Sequence, residues 1–201
     1  MAERKASGFL TGDKIALRGI RRSDLEHYRR WLDNAEVTHF LEMGWRPTHD
    51  QDLEAVFKNM TENHETVAFV VEHKSSGQPV GVCGLYLIQW LARRGQFNIL
   101  IGDPAMWDQG LGSEATRLIL AYGFDTLNLE SIQLGVNGDN VRAVRAYEKA
   151  GFVHEGVRRK FVYRNGRYYD VVVMSVLRED YESTRKTRAT ASAKRPGRKR
   201  A

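Results

Sequence analysis

Asn140-Val141-Arg142-Ala143-Val144-Arg145-Ala146-Tyr147-Glu148-Lys149-Ala150-Gly151-Phe152 decides how the rest of the chain is read. It opens on an asparagine able to cap a helix, places Val144 and Tyr147 three apart on one helix face, and stops at a glycine before an aromatic strand start. Ahead of it Ser131 to Val136 reads as a strand, and before that Ser113 to Leu127 sets Ala115, Leu118, Ile119 and Tyr122 on one helix face. Behind it lies a closing hairpin, Val157 to Tyr163 and Asp170 to Leu177, joined around Asn165-Gly166, a strong tight-turn signal.

Further upstream, Val67 to Glu72, Val80 to Gln89 and Gln96 to Ile101 are three consecutive apolar strands separated by polar, glycine-bearing turns, which predicts an antiparallel meander. Lys14 to Ile20 alternates as a strand. Ser23 is placed to cap a helix carrying Leu25, Tyr28 and Leu32, and a second helix is predicted from Asp50 to Met60, while Asn34 to His49 has no period. The pattern predicts an α/β fold of α+β type, a mixed sheet with helices packed on it.

The 201 residues are enough for one sizeable core. No segment approaches a membrane span or a signal peptide, so a soluble, cytoplasmic chain with no membrane partner is expected. Cys83, the single cysteine, lies in an apolar strand and reads as a core residue. The net charge of +6 comes from the end of the chain, where residues 183 to 201 hold eight basic side chains and no acidic one. Residues 1 to 12 are expected to be a flexible N-terminus, 13 to 182 the folded domain, and 183 to 201 a disordered basic tail. That tail would attract nucleic acid only weakly and non-specifically, and a solvated terminus is its plainer reading.

Gly110-Leu111-Gly112 precedes a helix, where free backbone N–H groups and the helix dipole favour phosphate. The segment Gly110 to Ala115 formally fits a dinucleotide fingerprint, with Glu130 near the ribose-binding distance. The fingerprint needs its first glycine directly after a parallel strand, whereas Gly102 to Gln109 intervene here. No lysine follows Gly112, which excludes a P-loop. Alone, the turn is as well read as an ordinary capped loop.

Together, the two elements resemble the GNAT superfamily of acyl-CoA-dependent N-acyltransferases. That family's pattern is a Q/R-x-x-G-x-G/A turn, a helix, a strand, then N-x-x-A/S-x-x-x-Y-x-K-x-G-F, and the second half matches throughout from Asn140 to Phe152. The opening elements and Asn165-Gly166-Arg167-Tyr168-Tyr169-Asp170 also resemble the RimJ/RimL-like and spermidine N-acetyltransferase subgroup. The Q/R position is Trp107, which leaves the turn's backbone amides to hold phosphate.

The resemblance implies a mostly antiparallel sheet of about seven strands with about four helices, and acetyl-CoA as co-substrate. It implies cofactor contacts from Leu100, Ile101, Gln109, Gly110, Leu111, Gly112, Ser113, Asn140, Tyr147 and Lys149. Asn140 would hold the pantetheine arm, a backbone N–H between Asn98 and Ile101 would polarise the carbonyl, and Tyr147 would protonate the leaving sulfur. The acceptor would be a primary amine of a small molecule, such as a polyamine, an amino sugar or an antibiotic. A protein N-terminus is the rival acceptor, and a non-catalytic acyl-CoA-binding module the rival of another class. A glutamate that serves as base in some relatives is replaced by Gln96, leaving Glu36, His39, Glu42 and His154 as candidates; Glu36, His39, Glu42 and Gln96 are the expected acceptor-side residues. The histidines show no metal spacing, so no metal is expected, and a homodimer is an open possibility.

Overall fold

The computed structural model describes residues 8–193. Eight strands form one sheet in the order β1-β2-β3-β4-β5-β6-β8-β7. They are β1 (Leu10–Thr11), β2 (Ile15–Arg18), β3 (Val67–His73), β4 (Gln78–Gln89), β5 (Arg94–Ile101), β6 (Ser131–Asn137), β7 (Val153–Arg164) and β8 (Arg167–Leu177). The expected meander β3-β4-β5 is there, and every neighbouring pair in the sheet is antiparallel except β5 with β6. Helices are α1 (Leu25–Leu32), α2 (Ala35–Thr38), α3 (Asp50–Glu62), α4 (Leu111–Ala121), α5 (Val141–Ala150) and α6 (Arg178–Ala193).

Strand alternation sorts side chains onto two faces. One face carries Phe69, Cys83, Leu85, Phe97, Ile132, Leu134 and Met174 against Leu111, Ala115 and Ile119 of α4, forming the main core. The other carries Val70 and Val82 against Tyr28, Trp31 and Leu32 of α1 and Leu53 of α3. A Leu or Ile side chain buried in full contributes roughly 1.5–3 kcal/mol, so Leu111 and Ile119 anchor α4 firmly on this face.

The strands of the closing hairpin start earlier than read, at Val153 and Arg167, α2 was not expected, and three further differences concern the start of α1 and the two ends of the chain. Asp24, not Ser23, organises the start of α1: its carboxylate accepts from the Arg21 N–H at 2.7 Å and pairs with Arg18 at 2.8 Å, while Ser23 lies inside a short 3₁₀ turn. Leu10 and Thr11 pair with Leu17 and Ala16, inside the stretch expected to be flexible. Past residue 182 the backbone stays helical to Ala193, where composition predicts disorder; Arg185 pairs with Asp125 at 3.2 Å, and the first helix breakers in the sequence, Pro196 and Gly197, lie outside the described residues.

Asn165 and Gly166 form the predicted two-residue turn, with φ of 51° and 82°. No described helix is long and apolar enough to cross a membrane.

Candidate active site

Strands β5 and β6 are parallel neighbours only through Arg94, Gly95 and Gln96, opposite Ser131, Ile132 and Gln133. Beyond Gln96 they part, while β5 stays bonded to β4 as far as Ile101. On the open edge of β5, every second N–H and C=O from Phe97 onward therefore has no strand partner, and this half-exposed edge can pair with a ligand's amides. Two cavities converge on this fork. One, of about 660 Å³, opens on the α1–α3 side of the sheet. The other, of about 1000 Å³, opens toward α4 and α5. Phe40, Leu41, Ile99, Leu100, Asn140, Ala143 and Tyr147 line both and mark where contents of the two would touch.

The α4–α5 cavity contains the glycine turn. Gly110 is the N-cap of α4 with φ of 81°, a left-handed conformation that glycine adopts without penalty. A Cβ on Gly110 would meet no protein atom within 4 Å, and one on Gly112 only Ile101 and Ile99 side chains at ordinary contact distance. Packing does not demand either glycine's lack of a side chain, whereas close approach of a phosphate to the first-turn N–H groups does. Lys14 donates to the Gln109 carbonyl at 2.8 Å and fastens the turn to β2.

Gln109, expected to touch the cofactor, is not on the cavity wall; its side-chain amide donates to the Ala105 carbonyl and braces the turn from behind. Leu111, Gly112, Ser113 and Lys149 line the wall. So are Arg142 and Arg145, cations that the motif reading passed over although their three-residue spacing puts them on one side of α5. Arg142 stacks over Trp107, 4.6 Å from its ring centre, and Trp107 donates to the Ile101 carbonyl at 2.8 Å. The tryptophan in the Q/R position thus closes the end of β5 and seats a cation beside the turn.

Asn140 caps α5 through its side-chain oxygen, which accepts from the Ala143 N–H at 3.1 Å, leaving the amide NH₂ as the group free to hold a bound amide. Tyr147 stands at the junction, its ring edge-on to Phe97 and Phe152 at 6.2 and 5.7 Å. Burial pushes its hydroxyl up to about 12, so it keeps its proton at working pH and is a donor, not a base.

On the α1–α3 side, Gln96 lies at the apex of the fork and Glu42 is the one carboxylate on that cavity's wall among the described residues. Glu36 and His39 line the α4–α5 cavity instead, with His39 packed edge-on against Phe40. His154 is on neither wall and pairs with Glu148 at 2.9 Å. The aperiodic stretch before α3 is held by Arg164 of β7, which donates to the Met43 carbonyl, Thr38 Oγ1 and the Gly44 carbonyl at 2.8, 2.8 and 3.0 Å.

The parts of a CoA thioester fit these surfaces: phosphates the α4 N-terminus with Arg142, Arg145 and Lys149, the amide-bearing arm the open β5 edge with Asn140, and the thioester the junction at Tyr147. Comparison with known proteins bears on the family and the cofactor. Residues 14–153 match the acetyltransferase (GNAT) domain. The spermidine N(1)-acetyltransferase of Vibrio cholerae is 31% identical over 84% of this chain and 95% of its own length. That of Escherichia coli K12 is 29% identical over 86% and 91%. The crystal structure of spermidine N-acetyltransferase from Vibrio cholerae with CoA and spermine superposes with a TM-score of 0.77, at 29% identity, over 85% of this chain and 99% of that one. The chain belongs to the GNAT acetyltransferase family and is an acetyl-CoA-dependent N-acetyltransferase.

Proposed function

We propose that this chain passes the acetyl group of acetyl-CoA directly to a primary amine of a small molecule, with no acyl-enzyme stage. The observation that carries this reading is the pair of cavities meeting at Tyr147. Acetyl-CoA supplies an activated acyl carbon at the junction. The open β5 edge supplies N–H donors where negative charge develops on its oxygen, and Tyr147 supplies a proton to the sulfur. The acceptor cavity has the volume of a small-molecule site. Cys83 is fully buried, and burial pushes its thiol up, so it offers no nucleophile.

Glu42 is the proposed base, directly or through a water, because Gln96 cannot take a proton. The relatives named for spermidine make polyamines the first acceptors to assay. Thiol release from acetyl-CoA, followed with polyamines, amino sugars, aminoglycosides, amino acids and N-terminal peptides, tests the reading. Turnover with a small amine is expected; turnover with peptides alone would move the acceptor to protein N-termini. Binding of acetyl-CoA without turnover on any amine would leave a non-catalytic module.

A further inference from the structure

Asn137 of β6 and Arg158 of β7 both pair with Val171 of β8, so the three form one row across neighbouring strands. Directly paired residues share a face, and Asn137, Val171 and Arg158 all line the acceptor cavity. Arg158 is exposed to that cleft, its guanidinium 5.1 Å from the ring centre of Phe161, and no carboxylate pairs with it among the described residues. Arg159 and Lys160 follow on a bulge and carry no ion pair there either; Asp170, the acid nearest in the ladder, is turned onto the Lys160 N–H at 2.7 Å.

Asn137 is 5% exposed, and its side-chain oxygen accepts from the Asp139 N–H at 3.0 Å, which fixes the amide's orientation. Its side-chain nitrogen is then a buried donor with no acceptor among the described residues, a costly state that a bound oxygen would relieve.

The rest of the wall is apolar or neutral: Tyr28, Phe40, Met43, Met60 and Phe161, with the amides of Gln96 and Gln133 at the fork. One carboxylate, Glu42, faces this donor-rich lining. A flexible polycation would find one counter-charge and a guanidinium there, at a real electrostatic cost.

We infer that the acceptor carries an oxyanion, carboxylate or phosphate, besides its primary amine, and that Arg158 holds this group with Asn137 as a further donor on the way to Tyr147. Asn137 lies on the strand bordering the fork and Arg158 two strands away, about 10 Å across the sheet, so the acceptor's anion is placed several bonds from its reacting amine. The inference rests on the proposed acetyl transfer to a small amine and narrows its acceptor.

The test compares matched pairs at saturating acetyl-CoA: 6-aminohexanoate with hexylamine, and glucosamine 6-phosphate with glucosamine, with spermidine alongside. At least one anionic member is expected to exceed its anion-free partner and spermidine by tenfold or more in kcat/KM, and which pair responds tells carboxylate from phosphate. Arg158→Ala should raise KM for that substrate by about tenfold to a hundredfold, with kcat and the KM for acetyl-CoA held within about twofold, and Arg158→Lys should recover part of the loss. Asn137→Leu should raise the same KM by a smaller factor. A preference for spermidine or for the anion-free partners, or an anionic preference unmoved by Arg158→Ala, overturns this inference and leaves acetyl transfer standing. No turnover on any amine sinks both.

Discussion

Tyr147→Phe is expected to lower kcat by about a hundredfold while leaving acetyl-CoA affinity within about twofold of the parent, the span being that of a lost general acid. The variant is a clean one. The Tyr147 hydroxyl makes no hydrogen bond to the protein among the described residues, and the ring is positioned by Phe97 and Phe152, contacts a phenylalanine keeps. Stability should therefore stay within about 0.5 kcal/mol, which denaturant unfolding measures. Unchanged turnover would remove Tyr147 from the proton-donor role.

The same residue makes a pH prediction. With its hydroxyl pushed up to about 12 by burial, Tyr147 stays protonated where a free tyrosine would already titrate, so kcat should show no alkaline fall from this group near pH 10. A fall centred near pH 10 would mean that the hydroxyl is in contact with water. The sign for stability follows from linkage. A group whose folded value is raised stabilises the fold fully below its ordinary value and loses that contribution as pH climbs to the folded value. Tyr28, also pushed up to about 12 by burial, adds in the same direction, so unfolding midpoints should decline between about pH 10 and 12.

Gly110→Asp should weaken acetyl-CoA binding by about a hundredfold or more, and Gly110→Asn is the control that assigns the cause. Both side chains tolerate a φ of 81° comparably, so backbone strain is common to the two. Neither meets a protein atom at its Cβ, so clashes within the fold are common as well. What differs is a carboxylate at a helix N-terminus that otherwise receives phosphate, where two like charges a few ångströms apart are repelled by roughly 1–4 kcal/mol. Equilibrium binding of CoA reads the difference. Equal losses for Asp and Asn would make the glycine a matter of backbone shape, and retained affinity in both would remove the phosphate from this turn.

Much of the cofactor side was legible because its determinants are local. A helix N-terminus with glycines, and a capped helix ending at Gly151 with Tyr147 inside it, are defined by residues within one turn of each other, and the structure puts both on one cavity. Gln109 was expected to act through its backbone amide, and its side chain is occupied on the Ala105 carbonyl.

The acceptor side was largely illegible because its parts are distant in the chain. Glu36, His39 and Glu42 lie within seven residues of one another, yet they divide between two cavities because Arg164, more than a hundred residues later, fastens the loop. Asn137 and Arg158 look like two ordinary surface residues until β8 brings them into one row.

By itself, then, the order of polar and apolar residues determined most of the strands and helices and marked the glycine turn proposed to hold phosphate, since hydrophobic period, capping and glycine conformation act over a few residues. Only the tertiary structure decided where β5 and β6 part, which side chains face the cleft so formed, and which charges are left there without partners. Those are consequences of strand pairing across long stretches of chain, and no local period encodes them.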